Sequence, residues 1–320
     1  RSSAASDVYK RQIQSFLCNA GSLVGFLFPF IFTWIGISNI APQGVVPDSV
    51  IYSFYIGAAI LILCVIYTTV KVKEMPPAEY AEYHGITEEE KKEKINMVKL
   101  LVKAPKAFWT VGLVQFFCWF AFMFMWTYTN GSVAANVFDA PTIETVVNGA
   151  NKVVLDTKSI QYQNAADWVG VLFAVQAIGS VLWAVCIPMF KNRKLIYSLS
   201  LVLGGIGFIS TYFVHNQYVL FISFLLIGCA WAAMLALPFT ILTNALSGGH
   251  MGTYLGLFNG TICIPQIVAA TLGGSILALF TPKGMLPPEI NMLVMAGVML
   301  IIGAVCVYLI KETKGEQAKA

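Results

Sequence analysis

Eight uncharged, mostly apolar runs divide the 320-residue chain, and they constrain its fold more than any other feature. Each is about 20 residues or longer, which is what an α-helix needs to cross the hydrocarbon core of a membrane. Backbone groups in lipid must be hydrogen-bonded within the segment, and the runs lack the alternation of barrel strands. The sequence therefore predicts an all-α membrane protein with eight transmembrane helices, near residues 13–37, 50–70, 107–129, 168–190, 195–214, 218–245, 253–280 and 290–310.

The composition excludes an ordinary soluble protein. Hydrophobic residues make up 58% of the chain and charged residues only 11%, with a mean hydropathy of +0.73. Soluble domains carry roughly 25% charged residues, which cover their surface. Lipid solvates apolar side chains instead, so a bilayer is the expected surroundings of this chain, and nothing in the composition favours a nucleic-acid partner.

The positions of the basic residues predict the orientation. If the first run leaves the cytoplasm, only three of the 20 Lys and Arg residues fall on the outer side, namely Lys152, Lys158 and Lys283. The rest lie in segments on the cytoplasmic side, which is the bias that inner-membrane proteins show. We therefore expect a multi-pass protein of the cytoplasmic membrane with both termini in the cytoplasm.

The runs carry no chemistry of an enzyme. All seven cysteines lie inside them without a metal-binding spacing, and no acidic, basic or histidine residue occupies the central part of any run. A hydrolase, a redox enzyme or a voltage sensor would need such residues at membrane depth. The chain also lacks a P-loop, the phosphate-binding motif of ATP-driven pumps. We expect neither catalysis nor a metal or cofactor.

The longest polar segment, 71–106, predicts the domain organisation. Two runs precede it and six follow, whereas transporters built from two six-helix halves have such a loop in the middle. We therefore interpret the chain as lacking four helices at its front. Its segments are then a leader of non-native type (1–12), the last two helices of a first bundle (13–70), a cytoplasmic central loop (71–106) that contains an amphipathic helix (88–103), a six-helix second bundle (107–312) and a cytoplasmic tail (313–320).

One face of the third helix combines an amide with aromatic rings. Gln115, Trp119 and Trp126 recur there at helical spacing, together with Phe122 and Thr129. An amide in hydrocarbon has donors and an acceptor to satisfy, so this face should point to the bundle interior. The pattern returns on other predicted helices, with Gln176 and Trp183 on the fourth, Trp231 and Asn244 on the sixth, and Asn259 and Gln266 on the seventh. The candidate substrate residues are Gln115, Trp119, Trp126, Gln176, Trp183, Asn259 and Gln266.

Amides beside indole rings suit a sugar, whose apolar face stacks on tryptophan and whose hydroxyls pair with Asn and Gln. The alternative for each residue is packing, since amides also join helix to helix and tryptophan also fills space. Close helix packing is what we expect of two glycine motifs, Gly21–Gly25 and Gly252–Gly256–Gly260. Taken together, the uncharged polar set favours a neutral polar solute.

Three segments also resemble a known family. They are LVQFFCWFAFMFMWTYTN at 113–130, GCAWAAMLALPFTILTNAL at 228–246 and SGGHMGTYLGLFNGTICIPQIVAA at 247–270. They are similar to the prokaryotic sucrose/maltose–proton symporters of the glycoside–cation group, within the major facilitator superfamily. The resemblance covers roughly 13–312.

This resemblance implies a bundle of twelve helices, of which the chain would hold helices 5–12, and alternating access with a disaccharide or glycoside as substrate. It further implies proton coupling through an acid and an arginine on the first and fourth helices, which this fragment does not contain. We expect the full-length protein to be a monomer and the fragment alone not to transport. The alternatives are a carrier of another small neutral solute, a channel or a non-transporting membrane scaffold.

Overall fold

In the computed structural model the described residues are 2–39, 45–73, 76, 79, 97–147, 150–190, 192–245 and 251–310; the side chains of 2–16, 19, 146, 147, 150, 244 and 251 are not described. The described residues form helices and one β-hairpin. Their order is α1 Ser2–Trp34, α2 Asp48–Lys71, α3 Met97–Val102, α4 Lys106–Asn136, β1 Thr142–Val147, β2 Ala150–Leu155, α5 Ile160–Cys186, α6 Arg193–Ser210, α7 Leu220–Ala245, α8 Met251–Phe258, α9 Gly260–Phe280 and α10 Ile290–Cys306.

The prediction of an all-α membrane bundle is confirmed. Seven described segments are long and apolar enough to cross a membrane, namely α2, α4, α5 with the short 3-10 turn after it, α6, α7, the pair α8–α9, and α10 with its own 3-10 turn. The eighth predicted crossing, 13–37, falls on α1, where the described apolar part, Ala20–Trp34, is shorter than the others. That crossing stays a prediction.

A β-hairpin was missed between the third and fourth predicted helices. Helices α4 and α5 are longer than the runs 107–129 and 168–190, and β1 pairs with β2 antiparallel, Thr142 facing Leu155. The strands are rich in β-branched residues, which favour extended backbone. Asp139, with φ of 49°, makes the turn after α4, and Ser159 begins α5 by accepting a hydrogen bond from the backbone N–H of Tyr162. We call the end of the bundle that carries this hairpin the hairpin end.

Two other predicted elements differ in detail. The amphipathic helix predicted at 88–103 is described only as α3, which begins at Met97, and the remainder lies outside the described residues, as does the tail 313–320. The crossing predicted at 253–280 is divided at Asn259 into α8 and α9. The proposed leader 1–12 is helical from Ser2, because α1 begins there, and its origin stays a prediction.

Helix α4 forms the centre of the bundle. It packs against α5, α7, α9 and α10. In its most apolar stretch 67% of the residues are buried, compared with 6% in α2 and 17% in the crossing formed by α8 and α9. The aromatic side chains of α4 therefore fill the protein interior. The apolar side chains of α2 and α9 mostly face away from the described protein, as lipid-facing side chains do.

The close helix contacts occur at glycines other than those predicted. Gly21, Gly25, Gly252 and Gly256 have no described neighbour within 4 Å of the place of a Cβ atom, so close packing at these motifs is not what the structure shows. Instead α5 and α7 touch backbone to backbone, where a Cβ on Gly179 would lie 2.6 Å from the Leu225 carbonyl oxygen and one on Gly228 would overlap the Gln176 carbonyl. Spacing alone does not say which face of a helix meets a neighbour.

Helix α1 packs along α5. A Cβ on Gly170 would lie 2.7 Å from the Phe26 carbonyl oxygen, and the rings of Phe26 and Phe173 lie 5.3 Å apart. Beyond the end of α1, the Asn39 amide donates to the Asp167 carboxylate over 2.7 Å. This seam is where the first predicted helix pair meets the six helices that follow.

Candidate substrate site

The predicted face of α4 is buried. Gln115 and Phe122 are 0% exposed, Trp119 is 8% exposed and Trp126 is 38% exposed. Thr129 is also buried and satisfies its own hydroxyl by donating to the Met125 carbonyl one turn earlier. The prediction that this face points to the interior is therefore correct, and Trp126 is the member of the set that reaches the surface of the described protein.

Three indoles meet on this face. The ring centre of Trp231, on α7, lies 5.8 Å from those of both Trp119 and Trp126, which are 6.4 Å apart from each other. Phe122 closes the group at 4.9 Å from Trp231. These separations and tilted or edge-on ring planes are typical of aromatic packing. We call these four rings the indole cluster.

A recess opens beside the indole cluster at the α1–α5 seam. Its volume of about 270 Å³ includes space that is open to the outside, and only a small part of it is enclosed. Helices α1, α4, α5 and α7 all contribute to it. It carries no charged side chain and is lined by Ser22, Phe26, Met125, Trp126, Gln176, Ala177 and Trp231.

Gln115 has a structural partner that the sequence did not reveal. Its Nε2 donates to the backbone carbonyl of Met234 on α7 over 3.2 Å. Pro238 lies four residues after Met234 and has no N–H, so that carbonyl lacks its helical partner. The Gln115 side chain supplies the hydrogen bond that this carbonyl of α7 lacks, and the bond links α4 to α7.

Two polar atoms on the same face have no partner among the described residues. They are Oε1 of Gln115, an acceptor, and Nε1–H of Trp119, a donor one helical turn away. Both are buried, and a buried polar atom without a partner costs about 1–3 kcal/mol. A hydroxyl group or a water molecule both accepts and donates, so either could pair with each of these atoms.

The structure brings only part of the predicted set together. Trp126 and Gln176 line the recess, Trp119 packs behind them, and Gln115 lies one turn from Trp119. Trp183 instead donates its Nε1–H to the Ser200 hydroxyl over 2.8 Å, which joins α5 to α6.

Two further predicted residues are found on the α8–α9 crossing. Asn259 is exposed at the junction of the two helices, and Gln266 on α9 is half-buried. Neither residue lines the recess, and the side chain of Asn244, at the end of α7, lies outside the described residues.

Five residues that line the recess are not among the predicted substrate residues, namely Ser22, Phe26, Met125, Ala177 and Trp231. The sequence pattern includes Trp231 on the sixth predicted helix, but not as a candidate substrate residue. Ser22 and Phe26 lie one helical turn apart on α1, but nothing in their spacing indicates that α1 docks onto α5 at this level. Among the described residues, no three His, Cys, Asp or Glu side chains are grouped so that they could hold a metal ion.

Comparison with known proteins agrees with this architecture. The sequence model of the Major Facilitator Superfamily matches residues 142–320, more than half of the chain. No curated protein matches the chain. The matched region contains α5 to α10 and the hairpin strands, and two further apolar helices, α2 and α4, precede it in the chain. The chain belongs to the Major Facilitator Superfamily, a family of membrane transporters.

Proposed function

We propose that this transporter carries a sugar, namely a disaccharide or a glycoside such as sucrose or maltose, by alternating access. In such carriers the solute binds near the midplane, between two helix bundles that rock against each other. The observation that carries the proposal is the position of the recess, with α1 on one side and α4, α5 and α7 on the other. A rocking motion of α1 against α5 would open and close it.

The lining of the recess favours a neutral polar solute over an ion. It contains two indoles, an amide and a hydroxyl, from Trp126, Trp231, Gln176 and Ser22, and no charged group. An indole offers a flat apolar surface to the C–H face of a sugar, while the amide pairs with hydroxyls. An ionic solute would leave its charge uncompensated in this environment.

The unpaired atoms of α4 add a second argument for a hydroxylated solute. A sugar hydroxyl can donate to an acceptor such as Oε1 of Gln115 or accept from a donor such as Nε1 of Trp119, and both atoms lack a partner among the described residues. A hydrogen bond to either atom would offset the cost of burying it unpaired. A solute without hydroxyl groups would leave it in place.

The remaining features of the proposal come from the resemblance and the charge pattern. We propose proton-driven symport in the cytoplasmic membrane, both termini in the cytoplasm, and a monomeric full-length protein. The coupling acid and arginine that the resemblance implies are not among the residues of this chain. Lipid and the sugar are the partners that this proposal requires.

Counterflow tests the proposed function directly. Vesicles that contain the full-length protein are loaded with unlabelled disaccharide, and we expect labelled disaccharide to accumulate transiently and saturably, because a carrier exchanges bound solute across the membrane. Flux that rises without saturation would instead indicate a channel, and the absence of any flux would indicate a scaffold. Another neutral solute that exchanges while disaccharides do not would contradict the sugar assignment alone.

The recess is tested by replacing its exposed indole. We expect Trp126→Ala to weaken disaccharide binding by roughly 1 kcal/mol or more, about fivefold to tenfold in Kd, through loss of an aromatic contact. Trp109→Ala is the matched control, since Trp109 lies on the same helix, is 55% exposed and is far from the recess in sequence. Isothermal titration gives both Kd values, and equal values for the two variants would show that Trp126 only packs.

The two roles of Gln115 are separable through Pro238. We expect Gln115→Leu to lower the free energy of unfolding by roughly 1–3 kcal/mol, since the Met234 carbonyl loses its donor. In a Pro238→Ala background the helix can supply that donor, so the same Gln115→Leu change should cost clearly less. Denaturation of the four proteins in detergent measures this coupling. A cost that is identical in both backgrounds would exclude the donor role, and unchanged sugar binding in the double variant would exclude a role for Oε1.

A further inference from the structure

The acid at the start of α10 does not act as a helix cap. Glu289 is the residue that precedes α10, yet its side chain makes no capping hydrogen bond to the helix. The carboxyl lies over α4 at Gly131, where an added Cβ atom would overlap it. Only a residue without a side chain leaves this room, so the carboxyl of Glu289 is seated between two helices at the hairpin end of the bundle.

Polar side chains of α4 and α5 lie near this carboxyl. The phenol groups of Tyr128 on α4 and Tyr162 on α5 both lie within electrostatic reach of Glu289. Asn130, next to Gly131, donates from Nδ2 to the Tyr162 hydroxyl over 2.9 Å, and its Oδ1 is buried without a described partner. A protonated carboxyl would bring a hydrogen-bond donor into this neighbourhood, whereas a carboxylate would bring only acceptors.

No described cation compensates the charge of Glu289. Burial is the sole cause acting on its pKa, which rises from 4.5 to about 7. Helices α6 and α9 also pack near this end, and α9 contributes Gly273, against which the Tyr128 hydroxyl lies. Among the described residues, the titratable groups that interact with Glu289 are thus the two tyrosines, which stay neutral over the physiological range of pH.

We propose that the Glu289 carboxyl, seated on Gly131 and flanked by Tyr128 and Tyr162, is a proton-binding site whose protonated form packs against α4. Binding is a simple transfer, in which a carboxylate oxygen takes a proton from water and becomes a neutral O–H donor. Ionisation reverses the step and places a charge where it has poor solvation, which favours movement of the carboxyl away from α4. The site differs from the acid expected on a missing helix, and it does not depend on the identity of the solute.

The direction of the pH dependence follows from the raised pKa. Between about 4.5 and about 7 the folded protein holds a proton that the unfolded chain has released, so stability falls as the pH rises through this window. The contribution is fully present below pH 4.5 and is lost once the pH has passed the folded pKa. Packing of α4 against α10 at the hairpin end should loosen over the same range.

Infrared titration of the protein in detergent tests the site. The C=O stretch of protonated carboxyls is recorded as a function of pH for the wild type, for Glu289→Gln and for the control Glu144→Gln, whose carboxyl is exposed on β1. The wild-type-minus-Glu289→Gln difference should titrate with a midpoint near 7, whereas Glu144→Gln should leave that signal in place. Glu289→Gln should also flatten the fall in the thermal unfolding midpoint between pH 4.5 and 7.

A third variant separates the seat from the acid. In Gly131→Ala the new methyl group should push the carboxyl towards solvent, so the midpoint of the Glu289 signal should move to lower pH. A Glu289 signal that titrates between 4 and 5 in the wild type would overturn the proposal, as would a Glu289→Gln protein with the wild-type dependence of stability on pH. Both results are readable even if Gly131→Ala fails to fold.

Discussion

The hydrogen bond from Gln115 to the Met234 carbonyl governs how the core of this protein is arranged. Inside a membrane a carbonyl without a protein partner cannot bond to water instead, and Pro238 leaves the Met234 carbonyl of α7 without its helical partner. Because Gln115 supplies the missing donor, α4 is held at one rotation against α7. Trp119 and Trp126 lie on the same face of α4, so this rotation also brings them into contact with Trp231. The hydrogen bond to the α7 backbone thus also positions the aromatic side chains of the site.

The same bond changes what Gln115 can do for a solute. The side-chain amide of Gln115 was predicted to pair with a sugar, but the structure uses one of its N–H donors within the protein and leaves Oε1 without a described partner. The proposed binding surface therefore shifts towards Trp126, Gln176 and Trp231, with the Trp119 indole and Oε1 of Gln115 behind them. That surface lies on the α1–α5 seam, where movement of one bundle against another would change its access.

Much of the fold was predictable because each crossing is written locally, as a long apolar run, and the inward face of α4 follows from helical spacing alone. What failed depends on which faces meet. The glycine motifs at Gly21 and Gly252 fulfil the spacing of close packing, but the helices touch at Gly179 and Gly228. Trp183 shares a helix with Gln176 but satisfies Ser200 instead of lining the recess. The hairpin was missed because two short strands give a weak signal between such strong helices.

A structure of the full-length protein with a disaccharide bound would decide whether the recess is the sugar site. We expect the sugar in the recess among α1, α4, α5 and α7, with one ring against the Trp126 indole, an amide contact from Gln176, and hydroxyl groups paired with Oε1 of Gln115 and Nε1 of Trp119. A sugar bound elsewhere in the bundle, without contact to Trp126 or Gln176 and with Oε1 of Gln115 and Nε1 of Trp119 still unpaired, would contradict this site.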